Sequence, residues 1–177
     1  KLTLMKTSAD SLKKSADALN DSSLWEKKKI KKKDEKTGEE IEVEDYDWDK
    51  ITKAVKSFVE DYNDVVREAG ESNTKDVLRN ASWMTGMTDK NSNMLAKIGI
   101  TIGKGNKLEL DEDALKQADI SSLKTVFTGY NSFVSKISQK ATGISNAANR
   151  ASATYTNNGT YSKTDSSLTS SKIDKEV

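Results

Sequence analysis

Few residues in this chain have the type and spacing to do chemistry, and each group reads more simply as structure. The stretch "GITIGKG", residues 99–105, sets Lys104 between Gly103 and Gly105 and so invites a phosphate-loop reading. A nucleotide-binding P-loop needs four residues between its glycines and a Ser or Thr after the lysine. Here three residues separate Gly99 from Gly103, and Gly105 follows the lysine. A hairpin turn explains the stretch better: Ile100 and Ile102 alternate on one arm, Leu108 and Leu110 on the other, and Gly103, Gly105 and Asn106 supply positive-φ positions between them.

Two carboxylate groups come next. Asp111, Glu112 and Asp113 could hold a metal or form a general-acid pair. Set just before an apolar helical run, they read as a helix start, with Asp111 accepting from orphan N–H groups and its neighbours favouring the positive end of the helix dipole. Asp45, Asp47 and Asp49 open like a calcium loop, but Lys50 stands where that loop turns on Gly and Lys56 where its bidentate Glu belongs. Asp47 or Asp49 is then the N-cap of the following helix. The sequence has no Cys and no His, which removes thiolate and imidazole chemistry, the usual nucleophile pairs and almost every transition-metal site. The expectation is a non-enzymatic protein with no catalytic residues, no cofactor and no metal.

The elements that carry these residues are helical. Leu2, Met5, Ala9, Leu12, Ala16 and Leu19 alternate steps of three and four, a coiled-coil-like seam. Ile51, Val55, Phe58, Tyr62, Val65 and Ala69 repeat the pattern, with Ala54, Val59 and Val66 widening the stripe. A third seam runs through Tyr130, Val134, Ile137, Ala141, Ile144, Ala148, Ala151 and Tyr155. Around Val77 to Met87, with Leu78, Ala81, Trp83 and Met84, a shorter helix is expected to end near Gly86, and a further turn from Met94 through Leu95 and Ile98 halts at Gly99.

Between the first two seams the sequence is almost all charge. Lys27 to Lys33 form a basic arm, Glu39 to Asp49 an acidic one, and the "KTGE" turn around Gly38 folds them into a hairpin with Ile30, Ile41 and Val43 as its apolar contacts. Such a hairpin neutralises itself. The formal net charge of +1 likewise gives no overall pull toward nucleic acid, which is not expected as a partner. No run approaches the ~20 apolar residues of a membrane span. The chain starts at Lys1 instead of Met, as a processed chain or a fragment would.

These readings give a mainly α fold, an elongated three-helix bundle or coiled coil with one or two small β-hairpins. A single elongated helical domain is expected over 1–156, with a charged hairpin at 26–47 and a connector hairpin at 99–111. A polar, loosely ordered tail, rich in Ser and Thr, is expected over 157–177.

Three blocks in register resemble the flagellar filament cap protein family, also called hook-associated protein 2, in its C-terminal helical region. "ITKAVKSFVEDYNDVVREA" resembles the family's FV-x-x-YN helix through Phe58, Val59, Tyr62 and Asn63. "MLAKIGITIGKGNKLELDEDALKQA" is similar to its L-x-x-IGI and LDE-x-L segment through Leu95, Ile98, Gly99, Ile100, Leu108, Leu110, Asp111, Glu112 and Leu115. "ISSLKTVFTG" resembles the next step through Leu123, Phe127 and Gly129, with Val126 in place of Leu.

The resemblance implies an exported structural protein, extracellular on the bacterial flagellum or cell surface. Its paired terminal helices would form the leg region that contacts flagellin and other copies. It also implies large β-rich domains between the first leg helix and the FV-x-x-YN helix, where this chain has only the charged hairpin. The seams look too lean for a thick core, so partner contact, by self-association or with a flagellin-like protein, is expected at Leu12, Leu19, Ala141, Ile144, Ala148 and Ala151 and along the polar tail. The alternative is a secreted or surface-attached helical binding or adhesion module.

Overall fold

A computed structural model of the chain describes residues 1–164, with side chains as far as 154. Four helices dominate: α1 (Leu2–Leu19), α2 (Trp48–Gly70), α3 (Lys75–Lys90) and α7 (Phe133–Thr164). Between α3 and α7 lie the short helices α4 (Ser92–Ala96), α5 (Glu112–Gln117) and α6 (Ile120–Phe127). Two antiparallel two-stranded sheets complete the described residues: β1 (Lys28–Lys33) with β2 (Glu40–Asp45), and β3 (Ile100–Ile102) with β4 (Leu108–Leu110). The fold is mainly α with small hairpins, as the periodicity indicates.

The seams become the core. Met5, Ala9, Leu12, Ala16 and Leu19 of α1 are buried against Ile51, Val55, Phe58, Tyr62, Val65 and Ala69 of α2 and Val134, Ile137, Ala141, Ile144 and Ala148 of α7. The third seam brings mostly small side chains, and aromatic residues from elsewhere make up its volume. Trp25, in a 3-10 turn after α1, stacks on Phe127 at 5.5 Å between ring centroids and donates its indole N–H to the Leu19 carbonyl at 2.7 Å. Phe58 meets Phe127 and Phe133 edge-on at 6.5 and 6.3 Å. Such contacts add to simple area burial.

Helix α3 closes the bundle's fourth side, packing on α7 and α2. It runs one turn past Gly86, to Lys90, because Thr88 continues the inward stripe of Val77, Ala81 and Met84. The Thr88 hydroxyl donates to the Met84 carbonyl at 2.9 Å and accepts from Tyr62 Oη at 2.8 Å, so a polar residue holds an apolar position. The third seam also starts later than its spacing implies. Tyr130 lies in the turn before α7 and is 83% exposed; Gly129, at φ +103°, breaks the helical run there. The side chain of Tyr155 and most of the tail expected over 157–177 lie outside the described residues, although the backbone of α7 reaches Thr164.

Both hairpins form. In the first, Lys28, Lys29, Lys31 and Lys33 stand opposite Asp45, Glu44, Glu42 and Glu40, and Ile30 opposite Val43. In the second, Ile100 pairs with Leu110 and Ile102 with Leu108. Positive φ in its turn falls on Gly105 and Asn106, while Gly103 sits at φ −102° in extended backbone, so only two of the three proposed turn positions need that conformation. The caps fall as expected: Asp47 accepts from Lys50 N–H at the start of α2, and Asp111 from Ala114 N–H at the start of α5.

Candidate functional site

Among the described residues, the most extensive helix–helix pairing joins α1 to α7. Helices α1 and α7 run antiparallel, and a polar ladder fixes their register beside the apolar seam. Asp10 accepts from Ser145 Oγ at 2.6 Å and from Lys6 Nζ at 2.7 Å. One heptad on, Asp17 accepts from Ser138 Oγ at 2.7 Å and from Lys13 Nζ at 2.5 Å. Seven residues return a helix to nearly the same face, so each rung repeats the last. Lys6, then Ser145, hold the Asp10 carboxyl below its ordinary value. Partial burial pushes Asp17 upward, but Lys13 and Ser138 outweigh it and its value is lowered as well.

The residues expected to touch a partner lie in this pairing. Leu12, Leu19, Ala141, Ile144 and Ala148 are fully buried by the chain's own helices, and Ala151 is half-buried. Lean as the seam is, α2 and the aromatic group around Phe58 cover it. While this packing holds, partner contact by those five side chains is blocked, and the exposed flanks of the helices are what remains available.

The three motif blocks converge on α2. Phe58 reaches the third block through Phe127, and Asn63 reaches the second. The Asn63 side chain donates to the Leu108 carbonyl at 3.0 Å and accepts from Leu108 N–H at 2.7 Å, pairing with β4 as a neighbouring strand would. Val59 is buried beside them; so is Tyr62, whose burial raises its phenol to about 12 despite the bond to Thr88. Leu95, Ile98, Ile100 and Leu108 are buried and Leu110 is half-buried.

Two glycines of the motif are required by geometry. A Cβ on Gly99, at φ +93°, would stand 2.7 Å from the Asp111 carbonyl oxygen. Gly99 itself accepts from Asp111 N–H at 2.8 Å, so the hairpin's two ends close on each other here. Gly129 uses its positive φ in the turn between α6 and α7, where its N–H donates to Asn20 Oδ1 at 2.8 Å and its carbonyl accepts from Asn20 Nδ2 at 3.2 Å. Asn20 at the end of α1 thus repeats the device of Asn63: one side-chain amide clasps both polar groups of a distant residue.

One surface feature escaped the sequence reading. Trp83 is 53% exposed on α3, with Lys140 Nζ 4.9 Å and the Arg79 guanidinium 6.0 Å from its ring centroid. A groove between α3 and α7 continues from it past Met87, Lys90 and Lys136. The signal was present: Val77, Ala81, Met84 and Thr88 share the inward face, and position 83 falls off it. Among the described residues no cluster of three or more acidic side chains is arranged to hold a metal ion, and no helix is long and apolar enough to cross a membrane.

A family model described as flagellar hook-associated protein 2 C-terminus matches residues 69–176, from the end of α2 through α7 and beyond. No curated protein and no solved structure gives a significant match. The matched span contains the second and third motif blocks and starts in the last turn of α2, after the Phe58–Asn63 stretch that holds them. With well over half of its length covered, the chain belongs to the family of the flagellar hook-associated protein 2 C-terminus.

Proposed function

We propose that this chain is the helical, leg-like part of a flagellar filament cap, a structural protein without catalytic activity that works through helix-mediated association with itself or with flagellin. The family is one of structural flagellar cap proteins. The observation that supports the reading most directly is the antiparallel pairing of α1 with α7, held in register by Asp10–Ser145 and Asp17–Ser138. Two terminal helices locked together form a stiff rod that can stand beside other helices. A short 3-10 turn and the charged hairpin occupy the stretch between α1 and α2. Location outside the cell, at the flagellum, follows from the same reading.

Light scattering coupled to size exclusion tests it, with the chain alone and after mixing with flagellin from the same source. A defined oligomer or a flagellin complex is the expected result. A monomer that ignores flagellin would overturn the cap reading and leave the family fold in place.

A further inference from the structure

The bundle carries opposite charge on opposite sides. Helix α1 packs on α2 and α7, and α3 on the same two, so the helices follow one another around the bundle in the order α1, α2, α3, α7. The groove between α1 and α2 and the groove between α3 and α7 therefore face away from each other. On the first, Glu60, Asp61 and Asp64 form an acidic ridge. Burial raises the Asp61 carboxyl; Ser15 of α1 opposes this, and the charges that act on it, Asp64 and Glu60, are negative. Arg67 beside that ridge is paired with Asp64 at 3.0 Å and with Glu68 at 3.7 Å. On the second, Trp83 lies among Lys90, Lys136 and Lys140, with Arg79 held by Asp76 at the edge.

The two patches also stand at the same height. Asp17–Ser138 and Asp10–Ser145 set the register of α1 against α7, which places Lys140 level with the stretch of α1 that contains Ser15. Ser15 of α1 is near enough to Asp61 to lower its carboxyl, and Lys140 Nζ lies over the Trp83 ring. A translation at right angles to the bundle axis would bring the basic groove of one copy onto the acidic ridge of the next.

We infer that copies of this chain associate side by side, the Trp83 groove of one receiving the Glu60–Asp64 ridge of its neighbour. This rests on the self-association proposed above and assigns the surface that carries it. The contact is heterologous, since each copy offers one ridge and one groove, so it builds rings or rows, not closed pairs. Desolvating Trp83 against the ridge gives the apolar centre, and the flanking lysines give register and rejection of wrong faces.

Sedimentation velocity on the full chain tests this with two charge reversals. One carries Lys136→Glu and Lys140→Glu, the other Glu60→Lys and Asp64→Lys. Each alone is expected to weaken association at least about tenfold, as loss of one close charge pair would. Mixing the two variants, or combining all four changes in one chain, restores it. Circular dichroism verifies that each variant is folded; Trp83→Ala, which leaves the charges alone, gives a second route to the same loss. Association unchanged by either reversal would overturn the surface while leaving self-association in place. A wild-type chain that stays monomeric throughout would overturn this inference and the self-association half of the cap reading, leaving the flagellin contact to the mixing experiment.

Discussion

The two hairpins have the same antiparallel plan and little else in common. The first, β1–β2, projects alternating charges into solvent; its one close ion pair among the described residues joins Lys32 to Asp45 at 2.6 Å. The second, β3–β4, buries Ile100 and Leu108 and is clasped to α2 by Asn63. Exposed ion pairs each contribute between nothing and about 1 kcal/mol, whereas a buried aliphatic side chain contributes roughly 1.5–3 kcal/mol. The two ribbons are thus unequal parts of the fold. One is an appendage that pairs with itself, and the other is a brace that fixes how α2, α4 and α5 meet. The contrast also locates where length can be gained or lost, since an element that contributes little burial can be replaced without dismantling the bundle.

The largest effect expected from breaking this contrast comes at the brace. Ile100→Ala removes a fully buried side chain and should lower stability by about 2–4 kcal/mol in urea unfolding. Gly99→Ala should cost about 2 kcal/mol or more, because both the positive φ and the Asp111 carbonyl oppose a Cβ. A loss near zero at both positions would mean that β3–β4 is as dispensable as β1–β2.

Asn63→Ala ranks next. It leaves the buried Leu108 without partners for its N–H and its carbonyl, at an expected cost of about 2 kcal/mol. Asn63→Asp keeps the acceptor and loses the donor, so it should retain part of that stability. Hydrogen exchange at the Leu108 amide reads the local effect: fast exchange in Asn63→Ala with the remaining core still protected is the expected pattern. Equal protection in variant and wild type would show that the clasp contributes nothing.

The charged hairpin should behave in the opposite way. Replacing residues 28–45 with a short Gly/Ser linker is expected to change bundle stability by no more than about 1 kcal/mol, since loop closure depends only weakly on length. Helicity by circular dichroism and the unfolding midpoint measure this together. Collapse of the fold would show that Ile30 and Val43 matter more than their half-buried positions indicate.

How far the sequence could reveal this difference depended on the distance between partners. Helical seams, both hairpins and the caps Asp47 and Asp111 depend on neighbours within a few turns, and local spacing was enough to read them. Asn63 meets Leu108 and Asn20 meets Gly129 across 45 and 109 residues, and nothing in an asparagine announces such a partner. Thr88 gives no such signal either, because a hydroxyl at an inward position looks polar until Tyr62 is seen bonded to it. The seams at Leu12, Leu19, Ala141, Ile144 and Ala148 look underfilled for a related reason: Trp25 and Phe127, which help complete that volume, come from a turn and a short helix outside the three periodic stretches, and Phe133 stands at the start of α7 off the seam's spacing.

The smallest expected effect is electrostatic, and it extends the contrast to the bundle itself. Asp10 and Asp17 have lowered folded-state values, so they favour the folded chain above the ordinary carboxyl range near 3.8, and that contribution disappears as pH falls through their folded values. Asp61 is raised, so its sign is reversed: its contribution is greatest below 3.8 and is lost as pH climbs through its higher folded value. The Asp10 and Asp17 side chains are about half exposed, so screening keeps each contribution below about 1 kcal/mol. Ser138→Ala with Ser145→Ala should therefore flatten the acid limb of the stability curve below pH 4, and Asp61→Asn should raise stability slightly at neutral pH. A deep acid transition that survives both serine changes would assign it to the remaining Lys6–Asp10 and Lys13–Asp17 pairs or to the Lys32–Asp45 pair of the exposed hairpin, where Lys32 and the Tyr46 backbone N–H hold the Asp45 carboxyl low as well.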